Sequence, residues 1–142
     1  MADDEMTYLA IDEADPEFGR IARDAQETLP EFRALLRLPG EANALVAVKA
    51  RLAAGAAAAD AWLMVIQQNR AGFATALIEV PPELAGAEVG DKHQVDAADV
   101  LDWMYNMGGI LHGGFSLRLQ RARLAPDQWP WFDERIGVTQ YA

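Results

Sequence analysis

A chain of 142 residues, 51% of them hydrophobic, is long enough to bury a core in one domain and too apolar to remain disordered. Its 12 Lys and Arg against 22 Asp and Glu leave a formal charge of −10, which argues against nucleic acid or an anionic membrane as partner and admits a basic protein. Zero cysteines exclude disulfides and thiolate metal sites, and no apolar run reaches the ~18 residues of a spanning helix.

Residues 1–14 read as an acidic leader, in which Asp3, Asp4, Glu5, Asp12 and Glu13 surround a small apolar island, Met6 to Ile11. Such a leader either frays, as termini often do, or supplies an edge strand or a segment that docks on a partner. Its acidic start is the reverse of a signal peptide's basic one, so the expected compartment is the cytoplasm. Asp15-Pro16-Glu17 then opens a helix, with Asp15 as N-cap and Pro16 at the first helical position. Phe18, Ile21, Ala22, Ala25 and Leu29 form its apolar stripe. Thr28-Leu29-Pro30-Glu31 is a second capping signal, which predicts a kink or restart before Phe32, Leu35 and Leu36; Pro39-Gly40 ends the segment.

The period then changes to 2. Val46, Val48, Ala50 and Leu52 alternate with Ala47, Lys49 and Arg51, predicting a strand with one wet or pocket-lining face. Residues 53–59, nearly all alanine around Gly55, read as a connector. Trp62 to Ile66 is apolar without alternation, predicting a central strand covered on both faces. Gln68 to Gly72 reads as a hairpin turn, and Phe73 to Val80 as a return strand closed by Pro81-Pro82.

Gly90 to Leu119 is the densest stretch of the chain. His93 to Val95 reads as a short extended segment and Asp96 as a helix N-cap. Val100, Trp103, Met104 and Met107 at i, i+3, i+4 and i+7 predict an amphipathic helix, stopped by Gly108-Gly109. After Gly113-Gly114, Phe115, Leu117 and Leu119 alternate with Ser116, Arg118 and Gln120, predicting a half-buried strand that continues to Arg123. Helices, then hairpin-linked strands, then a helix inserted before the last long strand define an α+β fold. Its N-terminal helices would cover one face of a mostly antiparallel sheet of about four to five strands. The domain is expected over residues 15–126. Residues 127–142 form an aromatic tail whose prolines forbid long regular structure, and Trp129, Trp131 and Phe132 in it dock either on the domain or on a second copy or partner.

The order of Gly90-Asp91, Asp102-Trp103-Met104-Tyr105, a glycine-bounded loop and Gly113 to Arg118, preceded by Ala22 to Ala25, Thr28 to Phe32, Val48-Lys49 and Trp62, resembles the YegJ-like family of uncharacterised bacterial proteins, domain-of-unknown-function family 2314. The resemblance covers residues 20 to 123. Relatives in that family tend to carry Glu-His before the strand tryptophan and Asn-Pro near the end of the next strand, where this chain has Asp60-Ala61 and Glu79-Val80-Pro81. If those polar residues serve a site in the relatives, the resemblance implies that this member lacks it.

Candidate chemistry is sparse. His112, between glycine pairs, is a candidate base if Asp102 orients it, and otherwise a loop-packing histidine. Asp102 either serves such a site or has the structural role of accepting loop amides or pairing Arg118. Lys49, Arg51, Ser116 and Arg118 are expected on the open face of the sheet, the best pocket by this reading. Asp91, His93, Asp96, Asp99 and Asp102 lack the spacing of a zinc or calcium motif, the glycine pairs lack a P-loop lysine, and Ser116 lacks a nucleophile elbow. No metal and no cofactor are therefore expected. Three functions remain open. The favoured one is a non-enzymatic interaction module for a basic protein, in the manner of an immunity or antitoxin protein. The others are a small-molecule or enzymatic domain in which Lys49, Arg51, Arg118 and His112 gather an anion, and a homodimer built through the tail.

Overall fold

The computed structural model describes residues 14–38 and 44–142, so the leader up to Glu13 and the Pro39-Gly40 helix stop lie outside the described residues. Helix α1 runs from Phe18 to Leu35 and buries Ile21, Ala25, Leu29 and Phe32, one stripe at helical spacing. Asp15 Oδ1 accepts the Glu17 amide at 2.9 Å, just ahead of the first turn. The restart expected at Thr28 to Glu31 does not occur, and Pro30 lies inside one continuous helix. Proline removes one amide bond there. Leu29 and Phe32 are buried on either side of it, so tertiary packing carries the helix through.

Among the described residues seven strands form one sheet in the order β4-β3-β2-β1-β5-β6-β7. They are β1 (Leu45–Ala54), β2 (Ala57–Gln68), β3 (Gly72–Leu77), β4 (Lys92–Asp96), β5 (Asp102–Met107), β6 (Ile110–Gly113) and β7 (Gln140–Tyr141). All neighbours pair antiparallel except β6 and β7, which are parallel. The sheet is thus mixed and larger than the four to five strands expected. The alanine run is no connector, because β1 and β2 stay paired down to Ala54 opposite Ala57, with Gly55 in the turn. Cross-strand pairing overrides the weak strand preference of alanine.

Two predicted elements are exchanged. Asp102 to Met107 is strand β5, preceded by a single 3₁₀ turn at Ala97–Asp99, and Phe115–Arg123 is helix α2. β5 lies between β1 and β6 and is buried on both faces, so Trp103, Met104 and Tyr105 are all apolar and a helical spacing arises without a helix. In α2 the buried set is Ser116, Leu117 and Gln120, which share one helical face despite the two-residue alternation. Gly108 and Gly109, both at positive φ, make the β5–β6 hairpin turn and stop no helix. The tail is regular too: Pro126–Gln128 is a 3₁₀ turn and Trp129–Ile136 is helix α3, with Pro130 in its first turn, where a missing amide costs nothing.

Helices cover both faces of the sheet, not one. Phe32, Leu29 and Ala25 of α1 join Val48, Leu63, Phe73, Val95 and Trp103 in one core. Leu117 of α2 and Phe132 and Ile136 of α3 join Ala47, Trp62, Met104 and Leu111 in a second. An ion pair staples the start of α1 to the end of α2, with Arg123 Nη2 2.9 Å from Asp15 Oδ1. The Arg123 hydrogen bond, and after it the Glu17 amide, hold the Asp15 carboxyl at about 2, below its ordinary 3.8. A depressed carboxyl contributes stability that is complete above its unfolded value and is lost as pH falls through the folded one. The stability difference between wild type and Asp15→Asn is therefore expected to shrink between about pH 4 and pH 2 in urea titrations. A difference that stays constant over that window would rule the staple out in solution.

Candidate functional site

Asp102 opens β5 and is completely buried. Its Oδ1 accepts the amides of Trp103 at 2.8 Å and Phe115 at 3.1 Å; its Oδ2 accepts the Ser116 amide at 2.8 Å and the Ser116 hydroxyl at 2.6 Å. Helix α2 begins after Gly114, whose own side chain can cap nothing, and Asp102 supplies the missing cap from a different element. Opposite it across the β1–β5 pair stands Lys49, which is also buried. Burial pushes the Asp102 carboxyl up; the Ser116 bonds, the Lys49 charge and the Phe115 amide oppose that shift. Asp102, Ser116 and Lys49 form a polar cluster in which each is at most 3% exposed.

The remaining sequence candidates are dispersed. Arg118 donates through Nε to the Gly113 carbonyl at 2.7 Å and through Nη2 to the Leu111 carbonyl at 3.1 Å and to a main-chain oxygen of Ala142, the last residue, at 2.9 Å; none of these bonds involves Asp102. His112 lies on β6 opposite Tyr105, its ring edge-on at 6.0 Å, on the α1 side of the sheet. Asp102 lies on the other side, in phase with Met104, so the two are not neighbours. Arg51, two residues along β1 from Lys49, points outward and pairs Asp60 at 3.2 Å. Ser116 and Arg118 belong to α2, so the expected pocket of Lys49, Arg51, Ser116 and Arg118 on an open strand face does not assemble. Of the tail residues, Phe132 enters the second core, Trp129 donates its indole N–H to the Arg121 carbonyl at 2.8 Å, and Trp131 is 47% exposed under the Arg135 guanidinium.

One surface had no sequence signal beyond apolarity. α2 and α3 cover the β1–β5–β6 half of their face; along β2, Met64 and Ile66 are 46% and 54% exposed. Met64 pairs Ala76 and Gln67 pairs Ala74, with a bulge between Val65 and Gln67 that turns Ile66 and Gln67 to the same side. Ala74 and Ala76, paired in turn with Gln94 and Lys92, make a flat floor beside them. Alternation from β2 to β4 thus yields an apolar strip with polar flanks. The expected full burial of Trp62 to Ile66 holds for Trp62 and Leu63 and fails at Met64 and Ile66.

Among the described residues no group of three or more His, Asp and Glu is placed to hold a metal ion, and no helix is long and apolar enough to cross a membrane. Fold and site together define an α+β protein on a seven-stranded mixed sheet, with its polar cluster sealed inside and its accessible features spread over surfaces. Residues 15–139 match the bacterial family described as "uncharacterized protein conserved in bacteria", DUF2314, and the chain belongs to that family. A putative ankyrin repeat protein of Neisseria meningitidis serogroup B is 31% identical over 58 residues, which is 41% of this chain and 23% of that protein, so the match spans less than a quarter of the relative. No solved structure matches.

Proposed function

We propose that this protein is a non-enzymatic interaction module that presents the open half of its sheet, centred on Met64 and Ile66, to a basic protein. The observation that carries this reading is the exposure of two large apolar side chains at a bulge in an internal strand, where solubility alone would favour polar residues. The charge of −10 supplies the attraction for a basic partner and predicts a salt-sensitive association rate. An immunity-like or antitoxin-like role is the concrete form of the proposal, since such proteins act by covering a partner.

The test is a comparative capture with wild type, Met64→Glu/Ile66→Glu and Trp131→Glu, each first shown to fold by circular dichroism and sized by light scattering. The expected result is a basic protein held by wild type and Trp131→Glu, released by salt, and lost at least tenfold with the Met64/Ile66 pair. Equal capture by all three would overturn the proposal. A dimer that only Trp131→Glu dissolves would replace it with self-association through the tail.

A further inference from the structure

The sheet has two edges, and they differ. β7 forms one with two residues; β4 forms the other, with β3 as its one strand neighbour among the described residues. β4 is five residues long, Lys92–Asp96, and pairs β3 without a bulge, from Lys92 opposite Ala76 to Asp96 opposite Gly72. The Leu77 amide donates to the Asp91 carbonyl and the Ala97 amide to the Ala71 carbonyl, both at 2.8 Å. In an antiparallel ladder such inward bonds recur at every second residue. His93 and Val95 therefore turn their main-chain groups towards β3, and Lys92, Gln94 and Asp96 turn theirs outward. A row of outward donors and acceptors is a template for another strand.

Proteins blunt such an edge with a proline, a bulge or a charge that repels a second strand. β4 has neither proline nor bulge, and its charges are of another kind: Lys92 and Asp96 stand at equal distance from Gln94 with opposite signs. Both side chains are exposed, and no hydrogen bond or ion pair engages either one among the described residues. Asp96, expected as a helix N-cap, makes no capping bond. The Gln94 side-chain amide is tied to Asn69 of the β2–β3 turn at 3.0 and 3.2 Å, away from the edge. The edge is thus regular, uncovered by side chains at its centre, and complementary in charge to its own reverse.

We infer that β4 pairs with β4 of a second copy of this chain, antiparallel about a twofold axis at Gln94, joining the two sheets into one. In that register Lys92 lies opposite the partner's Asp96 and Asp96 opposite the partner's Lys92. Each outward main-chain pair then closes, and each charge meets its opposite. The other registers that match outward groups do worse. A slip of two residues sets Gln94 opposite the partner's Lys92 or the partner's Asp96 and loses both opposed charges. A slip of four sets Lys92 on the partner's Lys92, or Asp96 on the partner's Asp96, which repel. A twofold contact uses one patch on both subunits, as this strand allows. Five residues a side make a small interface, and two chains of charge −10 repel, so the dimer is reversible and concentration-dependent. The axis runs perpendicular to the sheet, which leaves both open faces on the same side. The surface proposed for a basic partner is doubled and not covered, and the dimer does not rest on that proposal.

The test is sedimentation velocity from micromolar to millimolar protein, on variants whose fold is first checked by circular dichroism. Wild type and Trp131→Glu are expected to dimerise alike. Lys92→Glu and Asp96→Lys each set like charges together at both ends of the seam and should weaken dimerisation at least tenfold. Both positions are exposed, so neither substitution disturbs the core. Mixed in equal amounts, the two variants have complementary edges and should form a heterodimer about as tight as the wild-type dimer. Amide exchange gives a second readout: Gln94 should gain protection as protein concentration rises, while His93 and Val95, already bonded to β3, change little. A wild type that is monomeric at millimolar concentration, a dimer that both single variants leave intact, or variants that do not recover on mixing would overturn the inference. So would a dimer that Trp131→Glu dissolves, which would move the contact to the tail.

Discussion

Asp102→Ala is expected to cost about 3–5 kcal/mol, the range observed when one member of a buried charged pair is removed. Four donors lose their acceptor at once, two of them the first amides of α2, and Lys49 loses the carboxylate opposite it on the paired strand. The loss should be read as a lower urea midpoint with an unchanged slope, and α2, which bears Arg118, should be the first element to lose amide protection. Asp102→Asn tests the charge separately from the shape. Its oxygen can still accept the Trp103 and Phe115 amides, while its NH₂ group meets the Ser116 amide donor to donor. The pH dependence has the opposite sign to that of Asp15. Burial raises the Asp102 carboxyl, so the folded protein takes up this proton more readily than the unfolded chain. Its contribution is complete below the unfolded value of 3.8 and is lost as pH rises through the folded one. Wild type should therefore gain stability relative to Asp102→Asn on acidification towards pH 4 or so, and a relative loss over that range would mean that the Ser116 bonds and Lys49 outweigh desolvation.

The stretch from Gly90 to Leu119 stands out in the sequence, and it does contain the fold's polar centre, yet its two long elements are exchanged relative to expectation. The cause is physical in both. β5 has partners on both edges and cores on both faces, so hydrophobic periodicity, which reports one-sided burial, carries no information there. α2 has a local signal in Leu117, Leu119, Gln120 and Ala122, good helix formers all, but its cap is a carboxylate that sits 13 and 14 residues upstream of the amides it binds. A cap brought in by tertiary structure cannot be found with a local capping rule. The middles of β1 to β4 were legible, β1 from its alternation, β2 from its unbroken apolar run, β3 from the turn at Gln68 to Gly72 and β4 as a short extended segment, although β1 and β2 each face both cores. The open face was not, because a bulge sets the direction of Ile66 and bulges have no sequence signature beyond the residues they displace. Arg118 was legible as a residue of interest, though its surroundings depend on how the tail folds back.

The second large effect centres on Trp103, which joins three elements. Its ring stacks on Phe32 of α1 at 4.9 Å and meets Phe115 of α2 edge-on at 5.9 Å, and its indole N–H donates to Thr28 Oγ1 at 2.9 Å. Its main-chain carbonyl accepts the Gly114 amide at 2.6 Å, where the chain turns from β6 into α2. That turn has no room for a side chain: a Cβ on Gly113 would lie 2.6 Å from the indole ring, and its φ of +70° is itself unfavourable for other residues. Trp103→Ala empties this junction and is expected to cost about 3–5 kcal/mol, the usual range for removing a buried Trp or Phe side chain. Trp103→Phe keeps a ring between Phe32 and Phe115 but gives up the Thr28 bond, about 1 kcal/mol net, together with part of the buried area. A cycle with Thr28→Val separates the two contributions, because the coupling between positions 28 and 103 should be close to the hydrogen bond alone. The Thr28 hydroxyl also bonds the Asp24 carbonyl at 2.7 Å within α1, so Thr28→Val by itself should cost little more than that coupling. Near-zero coupling would mean that the indole N–H finds another acceptor, and that shape alone fixes the angle between α1 and α2.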